Sequence, residues 1–532
     1  MTVLSVRDLA LTIGDTPILH DIDLEVKAGE ILGIVGESGS GKSLTALSIM
    51  QLLPRASRWT GGIEVAGNDV GKMSEKALCS MRGRDVAMIF QEPMTALNPV
   101  HTIGHQIAET ILIHGECSRR QAGERAAALM NRVGLDPERI SPNRYPHELS
   151  GGQRQRVAIA MAIALRPKLL IADEPTTALD VTTQAQILDL LRSLVRQDRM
   201  GLVFITHDLA VISNLADRIA VMREGRVVEA GATDEVFREM RHPYTRALFS
   251  ASAHVPDRSP VIKRQGEPVL AVRDVVREYP RPRRSLFQAA NPFRAVDGVS
   301  LDIRYGENVG LVGESGCGKS TLARAILALD RLQQGEILIN GQTFSEAGSG
   351  PDMKQRAGVQ VVFQDPYASF NPRHPVRRLI AEPLYLIENA PEGAEREARI
   401  VRALEEVGLE ASDADKYIHE FSGGQRQRIA IARALIIEPS LIVLDEAVSA
   451  LDVSIRAQIL DLLAGLSERL GISYLFISHD LSVVRSITDR VLVMREGRIV
   501  EEGPTEEVFL APRHAYTKML IAATPTLRER SA

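Results

Sequence analysis

The sequence predicts an α/β protein built twice over, and three observations predict it. Short apolar runs alternate with longer amphipathic ones, as buried parallel strands alternate with helices in an open sheet. The stretch Leu149-Ser150-Gly151-Gly152-Gln153-Arg154-Gln155-Arg156 returns 272 residues later as Phe421-Ser422-Gly423-Gly424-Gln425-Arg426-Gln427-Arg428. The same offset carries Asp173-Glu174 onto Asp445-Glu446, His207-Asp208 onto His479-Asp480, and Tyr244-Thr245 onto Tyr516-Thr517. A glycine-rich loop, Gly36 to Ser43, recurs as Gly313 to Ser320, so only small insertions separate the fixed points. A period this long is a whole domain, far beyond the roughly 20–50 residues of a solenoid repeat. The expected organisation is a first domain over 1–253, an exposed linker over 254–268 and a second domain over 269–532.

Composition narrows the function. In 532 residues there are 63 Lys and Arg against 68 Asp and Glu, a net charge of −5. That argues against a chain whose work is neutralising a phosphate backbone. Three cysteines, Cys79, Cys117 and Cys317, are too few and too scattered for a disulfide framework or a four-thiolate cluster. Met1 leads directly into Thr2-Val3-Leu4-Ser5-Val6 without the profile of a signal peptide, and no apolar run reaches the roughly 18 residues that span a bilayer. The expectation is a cytosolic protein with at most a peripheral membrane role.

In chain order, Ile31-Leu32-Gly33-Ile34-Val35 is a brief, turn-bounded apolar run, hence a buried strand. Gly36-Glu37-Ser38-Gly39-Ser40-Gly41-Lys42-Ser43 follows it and opens a helical run, Leu44 to Met50. Glycines let backbone wrap close to phosphate, so that successive N–H groups and the helix N-terminus point at the anion. Lys42 then reaches the β and γ phosphates, and the Ser43 hydroxyl ligates Mg²⁺. Residues 117–134 and 184–197 carry helical periodicity, and Ser150 caps a helix expected over Gln153 to Leu165. Leu169 to Ala172 and Leu202 to Ile205 are two further strands. Asp173 closes the first, placed to hold Mg²⁺ through its water shell, and Glu174 beside it can polarise an attacking water. His207 ends the second, positioned to orient water and γ-phosphate. The second half repeats the set: Gly313, Ser315, Gly316, Gly318, Lys319 and Ser320 in the loop, then Asp445, Glu446 and His479.

The order of phosphate loop, Ser-Gly-Gly-Gln, Asp-Glu and His, present in each half and covering nearly the whole chain, resembles the nucleotide-binding domains of ABC transporters. The resemblance implies two P-loop NTPase domains. Each would have a RecA-like, mostly parallel sheet, an antiparallel β subdomain and a helical subdomain carrying the signature. It implies two ATP molecules held head to tail, with closure on binding and reopening on hydrolysis. Lys42, Asp173, Glu174 and His207 would share one ATP with Ser422 and Gly424, and Lys319, Asp445, Glu446 and His479 the other with Ser150 and Gly152. Gln91 and Gln364 match the Q-loop that senses Mg²⁺, completing a metal set of Ser43, Gln91 and Asp173 and of Ser320, Gln364 and Asp445. Asp180 and Asp452 match the D-loop aspartates. The ATP contacts in the first loop are Gly36, Ser38, Gly39, Gly41, Lys42 and Ser43.

Two departures from the family pattern stand out. The aromatic that stacks on adenine falls at Tyr279 in the second half but at Ile13 in the first. Asp445-Glu446-Ala447-Val448 also lacks the proline of Asp173-Glu174-Pro175-Thr176. The segments Gln91 to Pro99 and Gln364 to Pro372, with the tail elements His242-Pro243-Tyr244-Thr245 and His514-Ala515-Tyr516-Thr517, are similar to dipeptide and oligopeptide importers, including fused pairs for microcin-type peptide and glutathione uptake. That resemblance implies an ATPase subunit on the cytoplasmic face of the inner membrane. Its partners would be two integral-membrane permease subunits and a periplasmic or surface solute-binding protein, with no nucleic acid. No cysteine lies beyond Cys317, so no iron–sulfur centre is expected. The alternative is a soluble tandem ABC ATPase acting on ribosomes or DNA, and the short linker and absent zinc cysteines weigh against it. Arg281-Pro282-Arg283-Arg284 with Arg294 reads as a solvated loop, and His101 with His105, lacking a third ligand, as a non-metal pair. Cys317, beside Lys319 at a helix N-terminus, is expected to have a lowered thiol pKa and to be open to alkylation at the second site.

Overall fold

A computed structural model describes residues 1–92, 96–115, 117–177, 179–258, 267–280, 292–449 and 451–527. The basic stretch 281–284, residues 259–266 of the expected linker and Pro93 to Thr95 of the first Q-loop segment lie outside them. The chain divides into two compact units, one of Met1–Leu179, Thr183–Ala253 and Pro525–Ala532, the other of Asp180–Thr182 and His254–Thr524. Residues 254–258 pack on the second unit: Pro256 is buried, the His254 imidazole meets Asp461 at 2.6 Å, and Arg258 bonds Asp489 at 3.0 Å.

In the first unit six strands lie side by side in the order Arg226–Ala232, Arg218–Arg223, Ile31–Val35, Gly201–Ile205, Leu169–Asp173, Val86–Ile89. All pairs are parallel except the outermost, Arg226–Ala232 on Arg218–Arg223. Three central strands are buried at every position, which explains their unbroken apolar sequence. An antiparallel sheet of Thr2–Ile13, Thr16–Lys27, Ser57–Val65 and Asn68–Asp69 covers one side. Leu4, Val6 and Ile63 of that sheet share a core with Ile34, Val203 and Ile205 of the parallel one and with Ile49 of the helix Lys42–Met50. Helices Ile103–Ile113, Arg119–Arg132 and Gly151–Ala162 pack together as the helical part.

The second unit repeats this plan. Its parallel sheet runs Val359–Val362, Leu441–Asp445, Ser473–Ile477, Asn308–Val312, Arg490–Arg495, with Arg498–Pro504 antiparallel at the edge. Its antiparallel sheet comprises Leu270–Tyr279, Phe293–Ile303, Gln334–Ile339 and Gln342–Glu346. The α/β reading, with an antiparallel and a helical part in each half, therefore holds. The expected helices form with shifted ends: 117–134 becomes Arg119–Arg132, 184–197 becomes Val181–Asp198, and the capped helix is Gly151–Ala162. His101 lies outside the helix, whose N-cap is Thr102, so its ring stacks on His105 at 4.9 Å without sharing a helical face. Arg294 is neutralised by Glu278 at 2.8 Å and Asp297 at 3.0 Å.

Candidate functional site

Each phosphate loop leaves the central strand at a glycine that no other residue replaces. A Cβ on Gly36, at φ 156°, would stand 2.2 Å from the Met222 carbonyl oxygen, and one on Gly313, at φ 153°, 2.2 Å from that of Met494. Gly41 and Gly318, both left-handed, then cap the helices Lys42–Met50 and Lys319–Ile326. Gly39 and Gly316 stand open at the loop crests, beside Ser38 and Ser315. Lys42 Nζ donates to the carbonyls of Gly36 and Glu37, both at 2.8 Å, and Lys319 Nζ to those of Gly313 at 2.7 Å and Glu314 at 2.9 Å. Both lysines are buried, so each ammonium lies curled inside its own loop. The Cys317 expectation is overturned. The thiol is buried beneath the loop, and burial pushes it up against the opposing pull of Lys319, so it is neither acidic nor accessible.

The carboxylates owe their placement to a backbone turn. Asp173 ends its strand in register with Ile205, and Glu174 then takes a left-handed conformation at φ 47° while its N–H donates to the Ile205 carbonyl at 2.9 Å. Successive side chains of a strand point to opposite faces; the left-handed residue cancels that alternation and brings Glu174 to the same rim as Asp173. Glu174 Oε1 lies 3.2 Å from His207 Nδ1, and Oε2 accepts from Gln91 Nε2 and the Thr177 hydroxyl, each at 3.0 Å. Glu446, at φ 51°, reproduces the turn without the following proline and lies 3.3 Å from His479 Nδ1. Among the described residues neither Gln364 nor a threonine joins it; the Ser449 hydroxyl donates to the Glu446 carbonyl instead.

Electrostatics follow from these partners. Burial alone would raise Glu174, but the hydrogen bond and charge of His207, the Thr177 hydroxyl and Lys42 outweigh it and hold the carboxyl at about 2. Burial is likewise outweighed at Glu446, which His479 and Lys319 pull down, while Glu446 lifts His479 against its own burial. The aspartates go the other way. Burial, with the neighbouring Glu446 charge, raises Asp445 to about 6, and burial raises Asp173 despite Ser43 and Lys42. One oxygen of each, Asp173 Oδ1 and Asp445 Oδ1, is buried with no hydrogen-bond partner. Such an oxygen beside a Ser hydroxyl and a phosphate loop suits a hydrated divalent cation, so Mg²⁺ fits these residues.

Ser150 caps Gly151–Ala162 reciprocally. Its hydroxyl accepts from the Gln153 N–H at 3.3 Å, and Gln153 Oε1 accepts from the Ser150 N–H at 3.1 Å; Ser422 and Gln425 do the same. The role of Gln153 and Gln425 was readable as a capping box and was missed. Gly152 and Gly424 are needed for close approach, since a Cβ would meet the Thr183 methyl at 2.3 Å or the Ile455 methyl at 2.5 Å. The hydrogen bonds of Ser150 stay within its own turn, which leaves the helix N-terminus exposed. Asp180 accepts from Thr182 at 2.7 Å, and Asp452 stands at the N-cap position of Val453–Leu470. Tyr279 ends its strand with its hydroxyl on Asp330 at 3.0 Å and the Arg277 guanidinium 4.4 Å from the ring centre. Ile13 ends the equivalent strand, paired with Thr16 and Ser57.

Two phosphate loops, each facing an Asp-Glu pair and a histidine across one sheet rim, define a tandem P-loop ATPase that binds ATP. The family model "ABC transporter" matches residues 19–177 and 296–449, and the model "Oligopeptide/dipeptide transporter, C-terminal region" matches 228–273 and 500–532. The chain belongs to the ABC transporter family. It is 47% identical over 542 residues to the glutathione import ATP-binding protein GsiA of Escherichia coli O157:H7, covering 95% of this chain and 86% of that one. It is 47% identical over 530 residues to the peptidoglycan transport ATP-binding protein YejF of Agrobacterium fabrum, covering 98% and 96%. Among the described residues no helix is long and apolar enough to cross a membrane.

Asp445 provides a thermodynamic test. Its carboxyl moves from an ordinary 3.8 to about 6 on folding. The folded chain therefore binds the extra proton, and stability present below about pH 4 is lost as pH rises to about 6. Asp445→Asn is expected to raise the stability of the nucleotide-free protein at pH 7.5 by roughly 2–3 kcal/mol. That gain shrinks toward pH 4, as read by thermal melts across the range.

Proposed function

We propose that this chain is the ATP-hydrolysing subunit of an ABC importer, energising uptake of peptides or related small solutes through a separate membrane permease. The observation that carries this reading is the combination, in one chain, of two complete phosphate-loop, Asp-Glu and His sets with a tail element matching the oligopeptide/dipeptide transporter model in each half. Both relatives are transport ATP-binding proteins, and neither is a ribosome or DNA factor.

The chemistry is phosphoryl transfer by positioning and charge. Loop N–H groups and the N-termini of Lys42–Met50 and Lys319–Ile326 bind phosphate oxygens. Lys42 and Lys319 leave their loop carbonyls for the β and γ phosphates. Ser43, Gln91 and Asp173, and Ser320, Gln364 and Asp445, would hold Mg²⁺, which would supply positive charge to offset that of the phosphates. Glu174 and Glu446 orient the attacking water, their carboxylates held below the usual range by His207 and His479 despite burial. His207 and His479 fix the carboxylate and face the γ-phosphate. The helix N-termini at Ser150 and Gly152 and at Ser422 and Gly424, exposed at the two serines, offer further N–H donors to phosphate. Exposed Phe90 and Phe363, each just before the Q-loop glutamine, with Val100 and Tyr367, support docking of two permease subunits on these segments. A solute-binding protein outside the membrane completes the assembly, and the chain sits peripherally on its cytoplasmic face.

Replacing Glu174 and Glu446 together by Gln is expected to keep ATP binding and lower phosphate release at least about 100-fold; rapid turnover by the double variant removes them from this role. Tyr279→Ala is expected to weaken ATP at the second site about tenfold, since base–aromatic stacking contributes on the order of 1–3 kcal/mol. The first site, with Ile13, is then intrinsically the weaker. Nucleotide titrations with Lys42→Ala or Lys319→Ala isolate each site, and equal affinities refute the asymmetry. Affinity isolation from membranes tests the importer reading itself. Two polytopic subunits with a solute receptor support it; ribosomes or DNA overturn it.

A further inference from the structure

Each phosphate loop is held from behind by a tyrosine of the tail element, 207 residues away in the first unit and 202 in the second. Tyr244, on the helix Pro243–Ser252, accepts the Glu37 N–H on its hydroxyl at 3.2 Å. Tyr516, on Ala515–Ala523, accepts the Glu314 N–H at 2.9 Å. Both rings are buried, and the guanidinium groups of Arg223 and Arg495 lie 5.1 and 5.0 Å from their centres. The base of each helix is fixed in turn. His242 Nδ1 accepts the Tyr244 N–H at 3.2 Å, and the Glu229 carboxylate accepts the N–H groups of Arg241 at 2.8 Å and His242 at 3.1 Å. His514 and Glu501 repeat this with Tyr516, Arg513 and His514 at 3.1, 2.7 and 3.0 Å. Since Glu229 and Glu501 sit on the edge strands Arg226–Ala232 and Arg498–Pro504, a continuous chain of bonds runs from sheet edge to phosphate loop.

The same residue carries the other end of the argument. Glu37 gives its N–H to Tyr244 and its carbonyl to Lys42, and Glu314 gives its N–H to Tyr516 and its carbonyl to Lys319. When the lysine turns to phosphate, the carbonyl bond is released and the tyrosine bond remains. We propose that Tyr244 and Tyr516 are positioning residues for ATP, through which the tail element holds the phosphate loop in its receiving shape once the lysine has let go. The proposal rests on the reading of both loops as ATP sites, and it gives the matched C-terminal region a task inside the nucleotide cycle.

Tyr244→Phe, Tyr516→Phe and the double variant, made in the full chain, keep the ring and remove the hydroxyl. The Kd and KM for ATP are expected to rise roughly three- to tenfold, the factor one ordinary hydrogen bond supplies, while kcat falls less. Hydrogen exchange at the loops 36–43 and 313–320 is expected to quicken. Leu248→Ala, which thins the packing under the same helix, should lower the melting temperature without moving the ATP Kd. Unchanged Kd and loop exchange in the phenylalanine variants, or equal loss in Leu248→Ala, overturns the proposal and leaves the ATPase reading standing. A parent chain that binds no ATP overturns both.

Discussion

Each unit depends on a hydrogen-bond ladder that continues one step past the ends of its central strands. In the first unit the Glu174 N–H donates to the Ile205 carbonyl at 2.9 Å and the Thr206 N–H to the Ile34 carbonyl at 3.2 Å. In the second, Glu446 donates to Ile477 at 2.9 Å and Ser478 to Leu311 at 3.4 Å. These bonds bring the ends of three parallel strands level, so the glycine leaving the first, the carboxylates leaving the second and the histidine leaving the third share one rim. Ligands of open α/β sheets bind beyond the carboxyl ends of the strands, and here the ladder sets which side chains stand there. The left-handed Glu174 and Glu446 belong to this constraint: an extended residue there would keep the ladder and turn the carboxylate away.

The two rims share a backbone and differ in side-chain company. Among the described residues the Glu174 carboxylate meets His207, Gln91 and Thr177, whereas that of Glu446 meets His479. Asp445, without hydrogen-bonding help from its loop serine, feels burial and its neighbour's charge more fully than Asp173 does. The first site therefore holds its carboxylates in a tighter web but lacks an aromatic for the base; the second has Tyr279 braced by Arg277 and Asp330 but a costlier buried aspartate. The loop lysines, the Asp-Glu pairs and the histidines are present at both rims, and the differences lie in what surrounds them.

Much of this was legible in the residues because the informative signals are local. A loop of fixed glycine spacing between a strand and a helix, acids at a strand end and a histidine at the next each declare their chemistry within eight residues. What stayed hidden depends on distance in the chain or on burial. A proline follows Glu174 and not Glu446, yet Glu446 makes the same turn before Ala447, so the shape belongs to the ladder and not to that residue. Cys317 looked acidic from its lysine and helix, and burial beneath the loop decided otherwise. The bonds from Gln91 to Glu174, and from the Glu37 N–H to Tyr244, join residues on separate elements, and no spacing rule names them.

The tail element shows why comparing the halves sharpens a physical reading. His242-Pro243-Tyr244 becomes His514-Ala515-Tyr516, so the proline at the helix start is replaced while the histidine cap and the tyrosine stay. Proline at the first helical position favours the helix by its fixed φ, yet the helix forms in the second unit without it. The residues common to both are those that place a hydroxyl: the imidazole that accepts the tyrosine's own N–H, and the acid on the edge strand that fixes the preceding turn. A helix kept only for packing would need an apolar face. Both tail helices have one, in Leu248 and Leu520, and both also keep a buried polar atom aimed at the same peptide of the phosphate loop. Burying a hydroxyl costs free energy unless it is hydrogen-bonded, and in both units that bond goes to the loop residue whose carbonyl the lysine must give up.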